Sequence, residues 1–308
     1  MYKNLQSKFK DLRLPVIVAP MFLVSSPQLV ISASKNGVIG SFPLLNARTT
    51  EILEAWLIQI KAELPNHLWA VNFISHATNK RLEPDLDLIR KYQPPIVITS
   101  LGHPGRVLKV VQSYGGLVFS DVTSVKHAKK AAEAGVDGLI LVCNGAGGHA
   151  GRLNPFAFTA AVKEFWDGFI ILAGGLSDGK DILAARILGA DFAYMGTRFI
   201  ATEESFASEE YKKMVISSTI EDIFYTDAFS GVHANYLIPS IEKAGIDIHT
   251  LKPRETIDLT HANDVMAWRD IWSAGHGVSA VQNVMPIAKL IDVLAEEYNR
   301  AFKNMQYI

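Results

Sequence analysis

Eight short apolar runs alternating with helical stretches predict an α/β fold. It is a (β/α)8 TIM barrel with a small, mainly helical C-terminal appendage over the barrel mouth. Three observations carry this expectation. The runs are apolar at consecutive positions, as strands buried on both faces are. Helical spacing and capping residues lie between them. The eight units occupy roughly 215 residues, near the ~250 usual for this barrel. The rival architecture is an open doubly wound sheet, but no GxGxxG follows the first strand. The expected division is 1–216 for the barrel, 217–262 for the appendage and 263–308 for C-terminal helices that pack back on the barrel.

The first strand is Val16 to Ala19, stopped by Pro20. Ser26 is an N-cap and Pro27 suits the first helical position, so a helix runs to about Ser34. Gly37 to Phe42 is the second strand and Thr49 to Glu63 an amphipathic helix. Trp69 to Ile74 is the third strand, followed by a helix over Pro84 to Tyr92. Ile96 to Leu101 is the fourth, with a short helix around Arg106 to Ser113. Leu117 to Val122 is the fifth, and Gly135 closes the helix after it as a C′ glycine. Leu139 to Cys143 is the sixth, before a helix over Pro155 to Trp166. Phe169 to Ala173 is the seventh, and the helix Asp178 to Leu188 ends at Gly189. Phe192 to Met195 is the eighth.

The stretch from about Ser217 to Ala262 breaks this alternation, with turn signals at Thr226-Asp227, Ser230-Gly231 and Lys252-Pro253. Two helical patterns close the chain. The stronger, Val284 to Arg300, has Ile287, Leu290, Ile291 and Leu294 in one stripe. That stripe is expected against the barrel, with a homodimer surface as the alternative.

The composition is that of an ordinary soluble protein: 308 residues, 49% hydrophobic, 20% charged, net charge −1. No basic run suggests a nucleic-acid partner. No apolar segment reaches the ~18 residues of a membrane span. The N-terminus has no signal-peptide core, and the single cysteine, Cys143, excludes an internal disulfide. A cytoplasmic setting is the expectation, with a small-molecule substrate and no membrane or nucleic-acid partner. No His, Cys or acidic cluster has metal-ligand spacing, and no nucleophile elbow is present.

In a barrel the strand C-termini share one face, where chemistry occurs. This rule gathers Pro20-Met21, Asn72, Ser100, Asp121, Gly145 to His149, Gly174-Gly175 and Gly196-Thr197 at one mouth. Two glycine turns end the last two strands, Ala173-Gly174-Gly175-Leu176 and Met195-Gly196-Thr197-Arg198. Glycine lets a phosphate reach the main chain, and the Thr197 hydroxyl adds a donor. Tight turns alone are the simpler reading. His149, in Gly147-Gly148-His149-Ala150-Gly151, is the one ionisable side chain of its stretch. It can exchange a proton near neutral pH, or merely hydrogen-bond a turn. Asn72 can line the barrel with its amide satisfied by neighbours. Asp121 either binds a ligand hydroxyl or caps a turn, and His103 faces the pocket or a surface turn. His233 is read as solvated or structural, and Trp268 and Trp272 as core or interface.

Together these segments resemble the nitronate monooxygenase family, also called 2-nitropropane dioxygenase-like flavoproteins. The matching pieces are Ala19-Pro20-Met21, Asn72, Ala146 to Gly151, Ala173 to Gly179 and Met195 to Phe199. Ser273 to Gly277 resembles a further family segment that has glutamine at the place of His276. The resemblance implies FMN at the mouth, its phosphate on Gly174-Gly175 and Gly196-Thr197. It places Pro20-Met21 against the ring, Asn72 hydrogen-bonded near it, Gly147 along the ribityl chain or ring, and His149 over the flavin as the proton-handling catalytic residue. Some members have a flavin-contacting glutamine where this chain has Val142. The implied activity is oxidation of alkyl nitronates with dioxygen to carbonyl compounds and nitrite. Two alternatives stay open: an NAD(P)H-dependent quinone or enoyl-thioester reductase of the same superfamily, and a non-catalytic barrel that binds a phosphate ligand.

Overall fold

The computed structural model describes residues 7–254 and 269–305. Trp268 and part of the appendage and C-terminal segment, 255–268, lie outside the described residues. Eight parallel strands form the barrel: β1 (Val16–Val18), β2 (Gly40–Pro43), β3 (Trp69–Ile74), β4 (Ile96–Ser100), β5 (Leu117–Val122), β6 (Gly138–Val142), β8 (Phe169–Ala173) and β9 (Phe192–Met195). Their order is β1-β9-β8-β6-β5-β4-β3-β2. The Ile17–Ile39 bridge brings β1 back to the start of β2. Hydrogen bonds of 2.8 and 2.9 Å across Ile39 close the ring, so the open-sheet alternative is set aside.

Strand periodicity sorts the side chains into two cores. Ile17, Ala70, Ile98, Phe119, Ile140 and Ile171 point inward and fill the barrel. Val16, Val71, Val97, Val118, Leu139 and Leu172 point outward and pack beneath the helices. Each fully buried side chain of this size contributes roughly 1.5–3 kcal/mol. Two residues further along the inward rows, at the mouth, come Asn72, Ser100, Asp121 and Tyr194. The barrel interior is therefore apolar below and polar in its top layer.

The capping signals act as the sequence suggests. Ser26 accepts from Leu29 N–H, and Ser124 from His127 N–H. Asp178 forms a reciprocal capping box with Asp181. Gly135 and Gly189 end their helices at φ 87° and 95°. The second strand begins later than expected, at Gly40, because Gly37 turns the chain at φ 85°. The helix expected over Pro155 to Trp166 stops at Lys163.

Beyond β9 the chain holds more than short helices. A helix spans Glu209–Ser217, and β10 (Ile223–Thr226) pairs antiparallel with β11 (Ala234–Leu237). The sequence there shows few clear strands and reads as mainly helical. β11 also pairs with the two-residue strand β7 (Gly148–His149). The appendage thus completes a three-stranded sheet with the loop after β6. The C-terminal helix Ile287–Met305 lies across the helix Gly179–Leu188, where Gly179 N–H donates to Glu297 Oε2 at 2.9 Å. A side chain at Gly179 would meet the Tyr298 backbone at 2.2 Å, so the crossing requires glycine. No helix among the described residues is long and apolar enough to cross a membrane.

Candidate active site

One cavity of about 1130 Å³ opens at the strand C-termini. It is lined by every residue the sequence placed in the site: Pro20, Met21, Asn72, Asp121, Gly147, His149, Gly174, Gly175, Gly196 and Thr197. The turn at Pro20-Met21 is pinned from both sides. Met21 N–H donates to Ser25 Oγ at 3.0 Å, and Asn46 Nδ2 donates to the Met21 carbonyl at 3.0 Å.

The polar floor is a chain of donors. Asn72 Nδ2 donates to the Ile98 carbonyl at 3.2 Å and to Ser100 Oγ at 2.6 Å. Ser100 Oγ donates to Asp121 Oδ2 at 2.5 Å. Asp121 therefore ends an interior network and does not cap a turn. Its Oδ1 is buried with no hydrogen-bond partner. Burial pushes its carboxyl up to about 7, against the stabilising Ser100 bond. Tyr194 stands beside it, its hydroxyl also buried without a partner. Burial and the Asp121 charge raise the phenol well above its usual range. Tyr194 escaped the sequence reading, although alternation from the inward Phe192 points to it.

The glycines divide into two kinds. Gly174 and Gly175 take φ of 122° and 71°, which disfavours other residues. A side chain at Gly174 would strike the Asn144 carbonyl at 2.6 Å, whereas one at Gly175 would meet nothing within 4 Å. Gly175 thus leaves open space on the cavity side of the turn. Gly147 lines the cavity, and its missing side chain also makes room for protein. A Cβ there would lie 2.8 Å from Gly275 N and 3.2 Å from Thr197 Oγ1. The segment around Gly275 straps across the loop after β6, with His276 N–H donating to the Gly145 carbonyl at 2.9 Å. Thr197 Oγ1 accepts from Gly275 N–H at 2.8 Å, a bond that leaves the hydroxyl proton uncommitted.

His149 is held by strand pairing opposite Ala234, not by a flexible glycine loop. Its Nε2 lies 3.5 Å from Ser230 Oγ. Ser230 is fully buried and gives its proton to the Val232 carbonyl at 3.0 Å, so it turns lone pairs toward the imidazole. Asn235 Nδ2 donates to the Ala146 carbonyl at 2.7 Å and ties the same loop to β11. His103 lines the cavity, and so does His233, whose side chain is about one-third exposed. Trp272 is core, stacked on Tyr211 at 4.9 Å. Cys143 is buried and its thiol is pushed up to about 12, so it is no nucleophile. No metal-binding group exists among the described residues.

Residues 45–297 match the nitronate monooxygenase family. The chain belongs to that family. It is accordingly an oxidoreductase of a flavin-using kind. A probable nitronate monooxygenase of Staphylococcus aureus strain MSSA476 is 26% identical over 274 residues, covering 74% of this chain and 76% of the relative. A (3aS,4S,5R,7aS)-5-hydroxy-7a-methyl-1-oxo-octahydro-1H-indene-4-carboxyl-CoA dehydrogenase of Rhodococcus jostii strain RHA1 is 26% identical over 235 residues, which is 75% of this chain. The match spans 65% of that dehydrogenase. Among solved structures, FabK from Thermotoga maritima superposes with a TM-score of 0.81 at 21% identity, covering 98% of both chains. Nitroalkane oxidase from Streptomyces ansochromogenes gives 0.78 at 21% identity, covering 96% and 99%. These two likenesses establish the barrel fold.

Proposed function

We propose that this protein is an FMN-dependent nitronate monooxygenase that oxidises alkyl nitronates with dioxygen to carbonyl compounds and nitrite. One observation carries the reading. A single cavity joins a glycine turn at Gly174-Gly175, open at Gly175, to an imidazole fixed by strand pairing at His149. The residues fit FMN. Gly174, Gly175 and Gly196 present main chain to the phosphate, with the Thr197 hydroxyl as a further donor. Pro20 and Met21 form a rigid wall for the ring. Asn72, Ser100 and Asp121 supply the polar groups of the floor. Bound there, FMN would supply the redox chemistry that links the substrate to dioxygen.

The protein's own part is positioning, exclusion of water and proton handling. His149 faces the substrate and takes or returns its proton, while Ser230 and the β7–β11 pairing hold the ring in place. The apolar lower barrel keeps water from the floor.

A second reading is an NAD(P)H-dependent reductase acting on a quinone or an enoyl thioester. The 26% identity to a carboxyl-CoA dehydrogenase of Rhodococcus jostii favours it. The test is spectroscopic. Purified protein is expected to be yellow and to lose its visible flavin absorbance when propyl-2-nitronate is added without oxygen. Rapid bleaching by NADH or NADPH, with no response to the nitronate, would overturn the first reading in favour of the second.

A further inference from the structure

The β5–β6 side of the mouth is rich in cationic side chains and imidazoles. The cavity is lined by Lys130, Arg152 and five of the chain's nine histidines, against one acidic side chain, Asp121. Asp121 does not neutralise them: it is committed to Ser100 in the barrel floor, and burial favours its uncharged form. Among the described residues, no carboxylate stands within ion-pair distance of Lys130 or Arg152. Ion pairs elsewhere, such as Lys35–Glu63 and Arg106–Glu83, join exposed partners.

The two cations are nonetheless placed by the fold. Lys130 lies one turn after His127 on the helix Val125–Ala134, so both fall on one helix face, and both line the cavity. Arg152 follows the loop after β6. Its Nη2 donates to His233 Nε2 at 2.8 Å, and its guanidinium carbon sits 5.8 Å from the Tyr225 ring centre. Tyr225 stacks on His233 at 5.0 Å and donates its hydroxyl to the Ala150 carbonyl at 3.0 Å. Asp227 stands 3.7 Å from His233 Nε2 but does not line the cavity. A guanidinium oriented in this way presents the planar fork that suits phosphate. Uncompensated cations along one edge of a concave site attract a polyanion and raise its local concentration.

We propose that the β5–β6 side of the mouth binds the phosphate of a second, phosphate-bearing ligand, held by Lys130 and Arg152, whose other end reaches His149 and the cofactor. Two kinds of molecule share this chemistry: a nicotinamide nucleotide, and a thioester on a phosphopantetheine-bearing carrier such as coenzyme A. The inference deepens the flavoenzyme reading and rests on it for the occupancy of the glycine half.

Calorimetric titration of the protein as purified with NADH, NADPH and coenzyme A tests it. The same titrations are run on the Lys130→Glu/Arg152→Glu double variant and on Lys130→Gln, a milder change at an exposed position. At least one probe should bind the wild type, more weakly as salt rises. The double variant should lose about tenfold or more in affinity and Lys130→Gln about threefold, with flavin content unchanged in both. The probe that binds identifies the ligand's source. Absence of binding by all three, or equal affinities in wild type and variants, overturns the inference. A protein that never holds flavin instead defeats the flavoenzyme reading, and the same affinities still decide the phosphate site.

Discussion

The two halves of the barrel mouth are built from opposite materials. At the ends of β8 and β9 the chain offers main chain, open space and one hydroxyl, and no charge. At the ends of β4, β5 and β6 it offers imidazoles, an amine and a guanidinium. Main-chain groups in left-handed turns are fixed before anything binds and suit a resident cofactor that stays in place. Long cationic side chains reach, screen and release, which suits a ligand that comes and goes. His149 sits where the halves meet, on a barrel loop that the appendage sheet pins.

Replacing His149 should break the comparison most visibly. His149→Ala is expected to lower turnover with the preferred reductant about 10²–10⁴-fold while leaving bound flavin intact, as steady-state rates and the absorbance ratio of the purified variant would show. Undiminished turnover would remove the residue from the chemistry and leave the two halves without a shared centre.

The glycine half is sharpened by a smaller change. Gly175→Ala meets no neighbour within 4 Å, so its folding penalty is the left-handed backbone alone, about 1–2 kcal/mol. A methyl group on the cavity side of that turn should nevertheless weaken FMN about tenfold, read as a rise in the dissociation constant by fluorescence quenching. Unchanged FMN affinity would show that the cradle holds something else, or nothing.

The smallest effect concerns the floor on which both halves stand. Folding raises the Asp121 carboxyl from near 4 to about 7. The proton therefore stabilises the fold fully below pH 4, and that contribution is lost as pH rises through 7. Asp121→Asn should remove this dependence. In flavin-free protein, the variant should gain on the order of 1 kcal/mol relative to wild type between pH 5 and pH 8, a figure discounted because the residue opens onto the cavity. Parallel denaturation midpoints for the two proteins across that range would refute a buried, mostly neutral Asp121.

Much of the barrel was readable locally. Runs such as Ile96–Ser100 and Phe169–Ala173 are apolar throughout because both faces are buried, and Ser26, Ser124 and Asp178 cap helices by bonds made within three residues. Tyr194 was within reach of the same reasoning, through alternation along β9. The hairpin of β10 and β11 was not. Ala234–Leu237 pairs in part with Gly148–His149, eighty-odd residues earlier, and four residues carry too little periodicity to announce a strand. The packing around Gly147 was hidden for the same reason: the Ala274–Gly275 strap that a side chain there would meet is distant in sequence.

The amino-acid order alone determined the alternation of strands and helices, and hence that Gly174, Gly196, Asn72, Asp121 and His149 end up at one mouth, because those outcomes follow from local periodicity and the parallel barrel's single C-terminal face. Only the tertiary structure decided which glycines leave room for a ligand and which make room for protein. It alone brought Ser230 to the His149 ring and set Lys130 and Arg152 on one rim without a carboxylate among the described residues. These depend on packing between segments far apart in the chain, where no local pattern constrains which side chain meets which.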